Sequence, residues 1–431
     1  MGTADTIFAL SSGAPPAAIA IIRLSGTDAF EAVRKLAGRV PEPRRASLAS
    51  LRHPTNGDIL DRALVIIFPG PDSASGEDLA ELHLHGGKAV VRAVEEALSA
   101  MQGLRKAEPG EFTRRAFLNG RIDLNEAEGL ADLLSAETEW QRRAANAMVG
   151  GGFSQAIETW RTELLMLSAL TEAELDFSDE DDVGDQNKQD ISDRCMNLHG
   201  AMTAVLAQPS AEKLKEGLRV VLGGPPNSGK STLLNALVDR DAAIVSEIAG
   251  TTRDMIEVPV AVEGVPLLFI DTAGVRDGSH DAIEVIGIER ARSAFSEADI
   301  LLWLGPEGEG PIHPHLLEIE AKADEPGHPR KSANAIVISA KTGSGVPDLL
   351  KAVGMLAKTL LPPLDQFVVN SRQRKLLADA SMALRDAAGS TDWLITAEQL
   401  RQARLALDAL TGRAHTENML DMLFGRFCVG K

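Results

Sequence analysis

The chain has 431 residues, which suggests about three domains at roughly 150 residues each. Lysine and arginine number 44 against 62 aspartates and glutamates, and the net charge of -18 argues against a nucleic-acid binder that relies on overall positive charge. Two cysteines, Cys195 and Cys428, exclude a disulfide framework and a zinc site built from several thiolates. No apolar run approaches ~18 residues and no secretory signal is visible, so we expect a cytoplasmic, multidomain protein without a membrane span.

The first segment, residues 1–120, has the pattern of a mixed α/β domain. Short apolar runs at Ala18–Leu24 and Ala63–Phe68 predict strands, and the apolar spacing of Lys88–Met101 predicts a helix. Residues 121–213 predict helix throughout, because apolar residues recur at i, i+3 and i+4. An acidic stretch from Asp176 to Asp185 interrupts that pattern, and we interpret it as a solvated loop between helices.

Residues 214–368 alternate strand and helix patterns, which favours a mainly parallel sheet. The predicted strands are Leu218–Leu222, Val265–Ile270, Ile300–Leu304 and Ala335–Ile338. Helical periodicity returns in residues 369–431, at Ser371–Ala388 and Thr396–Leu410. The predicted fold class is therefore α/β and all-α: an N-terminal α/β domain, then a helical domain in two parts, 121–213 and 369–431, with a mainly parallel α/β domain inserted between them. The motif Gly224–Ser231 at the start of the inserted domain predicts that it is a Ras-like P-loop domain.

A phosphate-binding motif opens the inserted domain. Gly224–Ser231 matches G-x-x-x-x-G-K-[ST], follows an apolar strand and precedes the helical run Thr232–Val238. Such a loop turns backbone N–H groups toward phosphate oxygens, and the helix N-terminus adds partial positive charge. Lys230 is expected to reach the β- and γ-phosphates as a binding and catalytic residue, and Ser231 to offer its hydroxyl to Mg²⁺.

Two further motifs predict a nucleotide switch. Asp271–Gly274 follows an apolar strand, where an acid can hold Mg²⁺ through water and Gly274 can present its N–H to the γ-phosphate. Gly250–Asp254 contains Thr252, whose hydroxyl can complete the Mg²⁺ shell only when a γ-phosphate is present. The alternative for Thr252 is a threonine that only caps a turn.

Base recognition departs from the usual GTPase pattern N-K-x-D. Lys322 and Asp324 are in place, but Ala321 stands where asparagine is expected. Asp324 should still select guanine by accepting from N1–H and the 2-amino group, and Ser339–Lys341 supplies a second turn beside the base. The residues predicted to contact GTP are Asn227, Ser228, Gly229, Lys230, Ser231, Thr232, Thr251, Thr252, Asp271, Thr272, Ala273, Gly274, Lys322, Asp324, Ser339, Ala340 and Lys341.

The hydrolytic machinery must differ from that of Ras-type enzymes. Val275 stands where those enzymes have the glutamine that positions the attacking water, and an apolar side chain cannot do this. Asn227 in the P-loop can help to coordinate a monovalent cation where an arginine finger would otherwise lie. A hydrogen bond that only shapes the loop is an equal alternative for Asn227.

Three segments outside the nucleotide motifs resemble the MnmE (TrmE) family of tRNA-modifying GTPases. They are Gly76–Asp78 with His85–Gly87, Pro109–Leu124, and the terminal Phe427–Lys431. The resemblance covers essentially the whole chain, and the predicted domain order is also that family's layout.

The resemblance implies an N-terminal domain that binds tetrahydrofolate and forms a homodimer. It also implies a flavoprotein partner, MnmG with FAD, and a carboxymethylaminomethyl-type modification at C5 of the wobble uridine of certain tRNAs. The one-carbon donor would be 5,10-methylene-tetrahydrofolate or 5-formyl-tetrahydrofolate. The folate-binding residues implied are Arg23, Glu77, Arg121 and Lys431.

A potassium-activated GTPase, whose G domains dimerise across the nucleotide, is implied as well. The K⁺ ligands would be Asn227, Ser246, Ile248 and Thr251. Glu284 matches the acid that orients the catalytic water, and Cys428 matches the family's terminal cysteine, expected to act chemically near the folate. A solvated helix residue and a buried small hydrophobe are their respective alternatives.

Two alternatives of other classes accompany this interpretation. A GTP-binding assembly factor for the ribosome or another RNA is compatible with the nucleotide motifs, but the Phe427–Lys431 tail and the segment Arg114–Asp123 argue against it. A folate-binding scaffold without turnover is favoured only by Ala321. The segment 13–19 also departs from the glycine-rich sequence of the family, which indicates a divergent member.

Overall fold

The computed structural model describes residues 5–176, 184–238, 256–272, 292–332, 334–363, 367–414, 417–425 and 427–430. Its contacts divide the chain into two compact units. The first unit comprises Met1–Ala131 with Asp408–Lys431, and the second comprises Asp132–Leu407. Within the described ranges, no helix is both long and apolar enough to cross a bilayer.

A six-stranded sheet forms the centre of the first unit. Its strands are β1 Thr6–Leu10, β2 Ile19–Ser25, β3 Ser47–Arg52, β4 Ile59–Phe68, β5 Leu79–His85 and β6 Leu104–Lys106. The order is β3-β4-β5-β2-β1-β6, antiparallel except for the β1–β6 pair. The helices described in this unit are α1 Ala29–Ala37, α2 Lys88–Ser99, α3 Glu111–Leu118, the start of α4 Leu124–Leu134, and α13 Glu417–Phe424.

The two faces of this sheet differ because side chains alternate along each strand. On β2, Ile22 and Leu24 are buried in one core with residues of α1 and α2. The intervening positions point the other way, and that face carries exposed apolar side chains such as Leu48, Leu64 and Ile19. Exposed apolar side chains of this kind are suited to burial against another surface.

The second unit contains the predicted inserted α/β domain. Its strands are β7 Leu218–Gly223, β8 Ile256–Val262, β9 Val265–Asp271, β10 Ile300–Trp303, β11 Leu316–Glu320 and β12 Ile336–Val337. The order is β12-β11-β10-β7-β9-β8, and all pairs are parallel except β8 with β9. The mainly parallel sheet and its four predicted strands are confirmed, whereas β8 and β11 lie outside those predicted strands.

Helices make up the rest of the second unit. They are α5 Glu139–Val149, α6 Gly152–Asp176, α7 Gly184–Leu206, α8 Ala211–Glu216, α9 Lys230–Val238, α10 Val346–Leu360, α11 Ser371–Gly389 and α12 Trp393–Thr411. The helical pattern predicted over 121–213 is present as a series of separate helices, and the Thr138 capping box begins one of them, α5. Most of the acidic stretch interpreted as a loop lies outside the described residues.

Candidate functional site

The P-loop connects the carboxyl end of β7 to the start of α9. Gly224 and Gly229 have positive φ angles of 147° and 104°, and Asn227 has a φ of 60°. A Cβ on Gly224 would lie 3.1 Å from the backbone nitrogen of Gly305, so glycine suits this close approach. The loop therefore adopts the tight, left-handed turns that let successive backbone N–H groups face a common centre.

Lys230 folds back across this loop. Its Nζ donates to the carbonyl oxygens of Gly224 and Pro225, both at 2.9 Å. Burial lowers the pKa of Lys230, although the nearby Asp271 carboxylate opposes that effect. The ammonium is thus held by neutral carbonyls inside the loop, where a phosphate anion would be a stronger partner.

A pair of oxygen ligands lies at the edge of the sheet beside the P-loop. Ser231 Oγ donates to Asp271 Oδ2 at 2.6 Å, and Asp271 is 1% exposed at the end of β9. Thr272 Oγ1 donates to the carbonyl of Leu222 at 2.9 Å, which joins the start of the Asp271 motif to β7. A hydroxyl and a carboxylate are ligands that Mg²⁺ accepts, so this donor set fits the ion.

The base-recognition residues meet at the carboxyl ends of β11 and β12. Ser339 Oγ donates to Asp324 Oδ1 at 2.6 Å, and this hydrogen bond lowers the pKa of Asp324, which therefore stays ionised. Ala323 N donates to Ile338 O at 3.1 Å and joins the two loops. A cavity of about 310 Å³ is lined by Gly229, Thr232, Leu233, Leu304, Ala321, Lys322, Asp324, Glu325, Ile338, Ala340 and Lys341.

This cavity brings together residues from four separate stretches of sequence: the end of the P-loop with its helix, Leu304 after β10, 321–325 and 338–341. Several predicted site residues lie outside the described residues, so the structure says nothing of them. They are Ser246, Ile248, Thr251, Thr252, Ala273, Gly274, Val275, Glu284 and Lys431. Asn227 is described and exposed on the P-loop.

In the first unit, Arg23 lies on the open face of the sheet. Its Nε and NH2 atoms donate to Glu81 Oε1 at 3.1 and 2.8 Å, across the β2–β5 pair. Burial alone would raise the pKa of Glu81, but the hydrogen bonds from Arg23 and His83 outweigh it and lower that pKa. The Arg23 guanidinium is 27% exposed, so part of it faces solvent.

Glu77 takes part in a network that the sequence interpretation did not include. Its Oε2 accepts from Ser25 Oγ at 2.8 Å and from Arg115 NH1 at 3.0 Å. Arg115, 4% exposed in its side chain, also contacts Glu111 Oε1 at 3.1 Å and Asp5 Oδ1 at 3.2 Å. The i, i+4 spacing of Glu111 and Arg115 was the available signal, because it places both on one face of a helix.

Arg121 lies next to this network. A Cβ on Gly76 would stand 3.2 Å from Arg121 Cγ, so Arg121 packs beside the residue that precedes Glu77. Its NH1 is 3.5 Å from Asp72 Oδ1, with the side chain 40% exposed. The described folate-site candidates therefore lie on one unit, with Arg121 and Glu77 close together.

The C-terminal tail packs against the same unit. Gly110 N donates to Cys428 O at 3.4 Å, Val429 forms a β-bridge with Pro109, and Ser11 Oγ donates to Gly430 O at 2.8 Å. The Cys428 side chain is exposed. The backbone of the tail is consequently held against Pro109, Gly110 and Ser11, while the Cys428 side chain is exposed rather than buried in a core.

Comparison with known proteins covers both units. Residues 6–121 match the family described as GTP-binding protein TrmE N-terminus, and residues 124–428 match the MnmE helical domain. A tRNA modification GTPase MnmE of Novosphingobium aromaticivorans is 56% identical over 99% of this chain and 100% of that protein. Proteins of the same name from Erythrobacter litoralis and Zymomonas mobilis are 55% and 48% identical, each over 99% of this chain and 100% of the relative.

Proposed function

Because this chain belongs to the MnmE family of tRNA modification GTPases, we propose that its GTP hydrolysis drives a carboxymethylaminomethyl-type modification at C5 of the wobble uridine of certain tRNAs. The observation that carries the GTP-binding part of the proposal is the cavity lined by Gly229, at the end of the P-loop, with Asp324 and Lys341. The alternative of an RNA or ribosome assembly factor gains no support from the family matches. The domain limits predicted from the sequence stay a prediction.

At the nucleotide, each described residue has a distinct task. Lys230 exchanges its two carbonyl partners for the β- and γ-phosphates, which is favourable because an ammonium binds an anion more strongly than a neutral oxygen. Asp324 accepts from guanine while Ser339 holds its other side. Ser231, and Thr252 from the switch loop, would hold Mg²⁺, which neutralises developing charge on the phosphates.

Water activation is assigned to groups other than a glutamine. Glu284 would orient the attacking water, and K⁺ bound by Asn227, Ser246, Ile248 and Thr251 would supply positive charge. Two G domains facing each other across the nucleotide would exclude solvent from that charge. This part of the proposal is supported by the exposed position of Asn227 on the P-loop and by the family membership.

The first unit is proposed to bind tetrahydrofolate and to form the homodimer. Arg23 and Arg121 are partly exposed guanidinium groups suited to the folate carboxylates, with Glu77 and Lys431 as further ligands. Cys428 would act as nucleophile or as general acid and base near the folate. The part of the sheet face that carries the exposed side chains of Ile19, Leu48 and Leu64 is the surface that a second copy would cover.

The flavoprotein MnmG, with its FAD, is proposed as the partner that completes the modification. The protein has a net charge of -18, so its mean electrostatic potential repels the negatively charged tRNA. We therefore assign most of the cationic tRNA surface to MnmG, in the cytoplasm. Tight binding of tRNA by the isolated protein at physiological salt would contradict this assignment.

Turnover of GTP in KCl and in NaCl tests the proposed mechanism. We expect rapid hydrolysis in potassium only, and loss of that stimulation in Asn227→Ala. The matched control is Asn235→Ala, an exposed asparagine on α9 outside the P-loop, which should keep the stimulation. Equal rates in both salts would contradict the potassium mechanism, and no hydrolysis in either would favour the scaffold interpretation.

A further inference from the structure

The two ends of the base-recognition loop, residues 321–331, are held together by a carboxylate that belongs to none of the nucleotide motifs. We call this set of contacts the closure of the loop. Glu320 is the last residue of β11 and immediately precedes Ala321. Its Oε1 lies 2.8 Å from His328 Nε2, and its Oε2 accepts from the backbone N–H of Lys331 at 2.8 Å. One side chain therefore joins the start of the loop to its end, with Asp324 between them.

A second ion pair lies directly behind this closure. Lys331 Nζ donates to Glu318 Oε2 at 2.5 Å and to the carbonyl oxygen of Trp303 at 2.9 Å. The side chains of Lys331 and Glu320 are only 6% and 8% exposed. Charges so poorly hydrated are costly unless they are paired, so the arrangement holds the loop to β10 and β11 in one geometry.

The surroundings of His328 favour a proton on each ring nitrogen. Nε2 faces the Glu320 carboxylate, and Nδ1 lies 3.1 Å from the carbonyl oxygen of Glu325. Both partners are acceptors, and only the imidazolium ion has two N–H donors. These hydrogen bonds raise the pKa of His328, while the positive charge of Arg330 opposes the rise. The Asp324 carboxylate also interacts electrostatically with His328.

Position 321 itself contributes no hydrogen-bonding side chain. Ala321 lines the base cavity together with Gly229, so an asparagine at this position would bring a hydrogen-bonding amide into that cavity. We infer that Glu320, acting through His328 and Lys331, positions the guanine-recognition loop and replaces the anchoring that an asparagine at 321 would provide. The inference rests on the assignment of this cavity as the guanine site in the proposed function.

A pH dependence of nucleotide affinity follows. Both hydrogen bonds of the His328 ring form while the ring is protonated. The contribution of the closure to nucleotide affinity is therefore fully present at pH values below the ordinary histidine range. It is lost as the pH rises through the raised pKa of His328, since the neutral ring can satisfy only one of its two acceptors. We therefore expect the Kd for GDP to rise with pH across that titration.

Binding of N-methylanthraniloyl-GDP to the full-length protein tests the inference. We expect Glu320→Gln to raise the Kd roughly tenfold, the usual effect of weakening hydrogen bonds to a charged group. The KM for GTP should rise similarly, with kcat changed less than about twofold, because Glu320 touches no reacting atom. His328→Gln should flatten the pH profile, and Ala321→Asn should restore most of the affinity lost in Glu320→Gln. Glu309→Gln, an exposed glutamate of the same unit, is the matched control.

Two results would overturn the inference. One is a Kd for Glu320→Gln equal to that of the parent protein at every pH. The other is a loss that Ala321→Asn does not restore and that lowers kcat in proportion, which would indicate general damage to the domain. Asp324→Ala separates these results from a failure of the proposed function: if GDP binding survives that change, the guanine site itself is wrongly placed.

Discussion

Truncating Phe424 tests whether the C-terminal helix α13 is a structural part of the first unit. Phe424 is 2% exposed and packs with Leu124, Leu420 and Phe427. Its ring centroid lies 6.1 Å from that of Phe117 and 6.0 Å from that of Phe427. Phe424→Ala removes a buried ring, and we expect the free energy of unfolding of this unit to fall by about 3–5 kcal/mol. The two ring contacts account for about 1 kcal/mol each.

The tryptophans make the assay specific for one unit. Trp140, Trp160, Trp303 and Trp393 all belong to the second unit. In urea, the circular dichroism transition of the first unit should move down by about 2 M, taking a slope of about 2 kcal/mol per M. The urea midpoint of the tryptophan fluorescence transition, which reports on the second unit, should not change.

Phe424→Leu is the control, because it keeps much of the apolar volume and should move the midpoint by less than half as much. An unchanged circular dichroism transition for Phe424→Ala would refute the packing argument. An equal shift in both probes would refute the independence of the two units.

Two further outcomes are expected. Native protein should show one thiol that reacts with Ellman's reagent, that of Cys428. Cys195 should not react, because it is fully buried and burial raises its pKa to about 11. Two reactive thiols before unfolding would contradict this expectation. Asp324→Asn should change the preference from GTP to XTP by roughly tenfold or more, because xanthine has an oxygen where guanine donates from its 2-amino group. Competition of both nucleotides against labelled GDP measures this preference. Unaltered selectivity would place the guanine contact elsewhere.

Prediction from sequence worked best where a local pattern carries its own chemistry. The strand, glycine-rich loop and helix around Gly224–Ser231 are consecutive in the chain, so their order alone indicates a P-loop. Two strands of the same sheet were missed for physical reasons. β8 contains Pro259, which is tolerated because this strand lies at the edge of the sheet. β11 contains Glu318 and Glu320 although it lies between two other strands.

Glu318 and Glu320 are tolerated in an inner strand because each forms an ion pair with a residue from the following loop, Glu318 with Lys331 and Glu320 with His328. The family and the fold class could be predicted from the sequence, since they depend on motifs and periodic patterns whose residues are close neighbours in the chain. Tertiary structure decided the rest. The closure of the base loop and the packing of the Cys428 tail against Pro109 depend on partners far apart in sequence, and no local spacing predicts which distant charge or backbone group will meet them.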